Sequence, residues 1–259
     1  MAVFRAFKAL RPTEGKAAAV AALPYDVVNR EEAAAIGKEN PDSFLHVDRA
    51  EMDLPAETDL YDAKVYQKAK ENLHKMEETG VLVQDNKPCY YIYELVRKGK
   101  VQTGIAGCAS IDDYLNNVVK KHELTRSDKE LDRINHVDVC DANTGPIYLA
   151  CRYTDALSAL LEQWKKEHKA TYDFTEEDEI THRVWVIDGD EAISQIQGEM
   201  EKIPALYIAD GHHRAASAVK VGLKRRQENP DYTGEEAFNY FLSVVFPYDQ
   251  LTILAYNRS

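Results

Sequence analysis

Apolar positions along the chain recur either every second residue or every third to fourth, the two spacings that separate strands from helices. Residues 3–10, "VFRAFKAL", alternate as a strand does. Residues 29–40, "NREEAAAIGKEN", read as a short helix with Asn29 as N-cap and Asn40-Pro41 as its stop. Residues 60–80 keep helical spacing up to Gly80, which suits the left-handed position after a helix. "CYYIYELVR" and "VQTGIAGCASI" are strand-like runs joined by "KGK", which predicts a hairpin. "SDKELDRINHVDV" reads as a helix opened by an S-x-x-E capping box, Ser127 with Glu130.

Through the second half the two periods alternate. "GPIYLACRY", "HRVWVID" and "ALYIAD" are strand-like, while "DALSALLEQWKKEH", "DEAISQIQGEMEKI" and the segment from residue 212 are helical. This alternation predicts a mixed α/β or α+β fold. It divides into an N-terminal α/β region, 1–110, and a region from 111 to 259 that holds the motifs below, although one continuous domain fits the same pattern. There are no repeats and no Ser/Gly-rich linker. The strand-like "LTILAY" stands three residues from the last one, so the chain reads as a piece of something longer.

Composition narrows the classes. At 259 residues, 44% hydrophobic and 29% charged, the chain has the make-up of a soluble globular protein. A net charge of -12 repels a phosphate backbone, which argues against nucleic acid as a partner. Cys89, Cys108, Cys140 and Cys151 lack metal-binding spacing and lie in apolar stretches, so they read as buried, reduced thiols of a cytoplasmic protein. "MAVFRAFKALRP" lacks the apolar run of a signal peptide, and "AAAVAAL" is too short to cross a bilayer; no membrane partner is expected.

The candidate chemistry concentrates in "ADGHHRAASAVKVG". A strand runs into Gly211, and a helix follows at once. The free N–H groups of a first helical turn attract anions, and His212, His213 and Arg214 add donors around them. A second reading of the same residues has Asp210 capping the helix while the histidines pack. No Walker P-loop is present, and His212 with His213 do not share a helix face, so that pair does not chelate a metal. "KKHELT" supplies His122 and Glu123; "HELTR" is not the H-E-x-x-H of zinc proteases, and Glu123 reads equally as a solvated loop carboxylate. In "LPYDVV", Tyr25 and Asp26 are either substrate contacts or a plain strand-to-helix corner. His46, Asp48 and Arg49 read first as a salt-bridged surface and second as substrate contacts.

"DGHHRAASAVKVG" resembles the phosphate-binding motif of archaeal ADP-dependent free serine kinases, members of the ParB/sulfiredoxin superfamily. "LPYDVV", "NPDSFLHVDRAEMDLP", "KKHELT" and "ADGHHR" resemble a family known as a domain of unknown function, the one numbered ten-fifteen, along nearly the whole chain. The kinase resemblance implies a ParB/sulfiredoxin-like core with family-specific insertions. It also implies a phosphotransferase using ADP or ATP with magnesium on a small hydroxylated metabolite such as serine. Asp210 to Arg214 would hold the nucleotide phosphates, Glu123 with His122 would supply the base, and Asp210 would be the magnesium ligand. Glu123 lies 87 residues (210 − 123) before Asp210, farther than in those kinases, so an insertion between "GPIYLACRY" and "EMEKI" is implied and the acceptor pocket differs. The rival expectation is a nucleotide-binding, ParB-like transcriptional regulator without catalysis. A homodimer is compatible with either.

Overall fold

The computed structural model describes residues 1–123, 127–176 and 179–252, and of Ser127 and Asp128 the backbone alone. From the N-terminus come β1 (Phe4–Arg5), β2 (Leu10–Pro12), α1 (Ala17–Val20), α2 (Arg30–Glu39), α3 (Leu45–Asp48), a 3-10 turn (Ala50–Asp53), α4 (Ala63–Glu78) and β3 (Leu82–Gln84). Next are β4 (Tyr90–Arg97), β5 (Lys100–Ser110), α5 (Ile111–Leu115), β6 (Val119–Lys120), α6 (Ser127–Cys140), β7 (Ile147–Cys151) and α7 (Asp155–Glu167). The chain continues through β8 (Tyr172–Thr175), β9 (Thr181–Ile187), α8 (Asp190–Glu201), β10 (Leu206–Asp210), α9 (His212–Glu228) and β11 (Tyr240–Pro247).

Among the described residues, nine strands form one mixed sheet in the order β6-β10-β7-β11-β5-β4-β9-β8, with β1 also on β5. The class is mixed α/β, as the alternation predicts. The hairpin closes with Arg97 opposite Lys100, and β5 then pairs antiparallel with both β4 and β11. β5 ends at 110 while its partners come from both sides of that point, so the sheet is continuous across the boundary drawn there. On the other flank β11 runs parallel to β7, and β7 antiparallel to β10.

Local signals account for most element ends. Asn29 accepts from the Glu32 N–H, and the Glu32 side chain accepts from the Asn29 N–H, a full capping box. Asp62 and Thr154 cap α4 and α7. The Ser127 side chain, which the capping box of α6 needs, and the "LTILAY" strand from residue 253 onward lie outside the described residues. The sequence reading missed β2, α1, α3, β3, α5, β6, β8 and β11, and the strand it placed over 3–10 is confined to β1 and the first residue of β2.

The main core joins the sheet to α7, α8 and α9 through Phe4, Ile105, Leu149, Leu157, Ile208 and Val219. A second cluster, with Val47, Val65, Leu73, Met76 and Cys140, fills the space between α3, α4 and α6. All four cysteines are free; burial pushes the thiols of Cys108, Cys140 and Cys151 up to about 12, which keeps them protonated.

Close packing at Gly107 sets a sharp constraint: a Cβ there would lie 2.5 Å from the Phe4 ring and 3.0 Å from the Arg5 carbonyl. Gly107→Ala is expected to lower unfolding free energy by about 1–3 kcal/mol through overpacking. Gly198→Ala, in α8 with nothing within 4 Å of the new Cβ, is expected to raise it by up to about 1 kcal/mol. Urea denaturation of the two variants checks the opposite signs.

Candidate functional site

β10 and α9 are separated by a single residue. Gly211 has φ +93° and ψ 32°, the left-handed region, so the chain turns from strand to helix without a loop. No side chain caps α9 and no acid lies in its first turn; the first helical bond runs from the Ala215 N–H to the Gly211 carbonyl. The N–H groups ahead of it carry the positive end of the helix dipole. Asp210 does not cap the helix. Its carboxylate is 72% exposed and accepts from Arg214 Nη2 at 2.7 Å. Arg214 Nη1 donates to the Pro146 carbonyl, and the guanidinium lies 3.3 Å from where a Gly211 Cβ would stand. Arg214 thus folds back beneath the turn and braces it against the start of β7.

The parallel pairing of β6 with β10 brings the second motif here. Val119 lies opposite Leu206 and Lys120 opposite Tyr207, so the segments leaving both strands emerge side by side. The His122 ring meets the His212 ring edge-on, centroids 4.4 Å apart at 86°. Glu123 Oε2 lies 3.6 Å from His212 Nδ1. Donor atoms of His122, Glu123 and His212 all fall within 4.8 Å of one another. His212 is only 6% exposed, and its buried Nε2 has no hydrogen-bond partner among the described residues. Burial, then the charge of His122, holds the His212 imidazole below the usual histidine range, so it is neutral at pH 7. His122 is exposed, Glu123 is 62% exposed, and His213, half-buried, stands outside the trio.

A cavity of about 200 Å³ opens beside α6. Tyr25, Asp26, Asp48 and Arg49 line it together, whereas His46 turns away to pair with Asp53 at 2.9 Å. Arg49 pairs with Glu51 at 2.9 Å, and Asp48 accepts from Thr144 Oγ1 at 2.8 Å. Asp132, Arg133 and His136, which also line it, were not singled out by sequence. Arg133, 8% exposed, lies over the Tyr25 ring at 4.1 Å and pairs with Asp132 at 2.8 Å. His136 Nε2–H donates to the Val47 carbonyl at 3.1 Å. Burial raises the Tyr25 hydroxyl above its ordinary range; Arg133 opposes this and Asp26 adds to it, with a smaller opposing effect of Arg214.

The sequence signal for α6 was present but inverted. Glu130, Arg133, His136 and Cys140 are buried at helical spacing, while Leu131 is 58% exposed. A helix that hides its charged stripe and exposes a leucine has that stripe turned toward something polar.

A family model described as "Protein of unknown function (DUF1015)" matches residues 4–259. The chain belongs to that family. No curated protein and no solved structure matches it significantly. Among the described residues no helix is long and apolar enough to cross a membrane.

Burial and the neighbouring Arg133 charge lower the pKa of His136, so it stays neutral in the fold. The unfolded chain then binds more protons below about pH 6.5, and this contribution to stability falls as pH drops through that range. His46 has the opposite sign: its bond to Asp53 raises its pKa, so its contribution is full in acid and lost as pH rises. Between about pH 7 and 5, His136→Gln should lose less stability than wild type and His46→Gln should lose more. Melting temperatures across that range check both slopes.

Proposed function

We propose that this protein is a nucleotide-dependent phosphotransferase acting on a small hydroxylated metabolite such as free serine. One observation carries the reading: His122–Glu123 and the glycine turn, 90 residues apart (212 − 122), meet at the uncapped start of α9. The motif likeness to ADP-dependent serine kinases, and the ParB/sulfiredoxin-like core it implies, require that meeting.

In this reading the first-turn N–H groups of α9, with His213 and the spare Arg214 donors, hold the phosphates of ADP or ATP. The acceptor occupies the cavity lined by Tyr25, Asp26 and Arg133. Glu123 takes the proton of its hydroxyl, the oxygen bonds to the terminal phosphorus, and the bond from that phosphorus to the nucleotide breaks. Neutral His212 and the His122 ring stand beside the carboxylate without a hydrogen bond to it. Magnesium commonly needs one or two protein carboxylates beside the phosphates it arrives with, and exposed Asp210 offers one, in competition with Arg214. When bound it neutralises phosphate charge.

Calorimetry with ADP, ATP and CTP tests the phosphate site. Arg214→Ala is expected to weaken adenine-nucleotide binding by about tenfold or more. Glu123→Gln is expected to keep nucleotide affinity and lower kcat by about 10²–10⁴. Unchanged affinity in Arg214→Ala removes the phosphate assignment, and CTP-selective binding without turnover replaces the enzyme with a nucleotide-binding regulator.

A further inference from the structure

We propose that His122, Glu123 and His212 form a binding site for a divalent transition metal of the zinc class. The three side chains converge without satisfying one another. Glu123 and His212 stand at 3.6 Å, beyond hydrogen-bond length, and the two imidazoles meet edge-on. His212, 94% removed from solvent, presents Nδ1 to Glu123, while its other ring nitrogen, Nε2, is buried without a partner among the described residues.

Geometry and donor type agree. Zinc bonds of about 2.0–2.2 Å in a tetrahedron put ligand atoms about 3.4 Å apart. The Glu123–His212 separation is already close to this, and all three donors lie within 4.8 Å. The remaining closure falls on His122 and Glu123, which are exposed, while His212 is fixed in the first turn of α9. Two imidazoles and one carboxylate suit zinc or cobalt; magnesium and calcium prefer oxygen alone. Three protein ligands also leave a coordination position open, as catalytic zinc sites do and closed structural sites do not.

The inference goes beyond the phosphotransfer reading and competes with it for one group. A Glu123 carboxylate bound to metal does not accept a proton, so a zinc-loaded protein lacks the base that reading assigns.

The test is a zinc titration of chelator-treated protein against a chromophoric competitor, without nucleotide, together with the visible absorption of the cobalt form. One equivalent should bind, and cobalt should give the intense bands of a low-coordinate site. His122→Ala and Glu123→Gln, both at exposed positions, should each weaken zinc by about tenfold or more, since even outer partners of a ligand cost that much. His74→Ala, on the exposed face of α4, should bind as wild type. Absence of stoichiometric zinc binding in the wild type, or wild-type affinity in the His122 and Glu123 variants, overturns the site. Zinc failure with nucleotide binding intact sinks this inference alone; zinc binding without any nucleotide binding sinks the phosphotransfer reading alone.

Discussion

The site depends on a one-residue reversal. β10 is held by β7 and β6, and α9 must begin immediately after it, so the joint has to adopt a left-handed conformation that only glycine takes without strain. Gly211 meets that demand twice over, because a Cβ there would also press on the Arg214 guanidinium at 3.3 Å. Once the joint is fixed, the rest follows. His212 is carried inward against the core, Arg214 is trapped between Asp210 and the Pro146 carbonyl, and the first turn of α9 is left without a cap from its N-cap residue. Gly211 has no side chain to cap α9, in contrast to α2, α4 and α7, each of which is closed by its own N-cap residue.

Burying charge is the second constraint. A guanidinium as enclosed as that of Arg133 is destabilising unless its surroundings return most of the lost hydration. Asp132 supplies an ion pair, Tyr25 a ring face, and Asp48 a further negative field. Apolar residues of similar volume would pack there more simply, so this polar arrangement is one a fold keeps for a reason other than stability. The same helix fixes where the arrangement sits: Ser217 of α9 donates to the Glu130 carbonyl of α6 at 3.1 Å, and Lys220 pairs with the Glu130 carboxylate.

Local chemistry was legible in the sequence, and pairing across the chain was not. The β4–β5 hairpin, the Asn29 cap and the glycine turn are each decided within a few residues, and each stands where the letters put it. β6 spans two residues and has no period to detect, yet its parallel match with β10 is what carries His122 and Glu123 to His212. The motifs were visible as separate clusters; their contact is a property of strand order. α6 stands where the letters put it, but the letters do not show that Glu130, Arg133 and His136 are buried on it while Leu131 is exposed. Tyr25, Asp26, Asp48 and Arg49 were suspected from two distant motifs, while Asp132, Arg133 and His136, which share their cavity, lay in a segment marked only as a capped helix. His46 shows the opposite error of grouping by sequence, since two residues of chain suffice to turn it toward Asp53 and a different cavity.

The trio on the α9 start and the cavity against α6 are therefore not independent features. Arg214 lowers the Tyr25 pKa slightly and its carboxylate partner Asp210 raises that of His212, in both cases behind larger causes led by burial. α9, which carries His212, is tied by the Ser217 bond to the Glu130 carbonyl of α6, which carries Asp132, Arg133 and His136 of the cavity wall. The trio and the cavity are thus joined through the packed pair α6 and α9, each helix carrying polar residues of one of them.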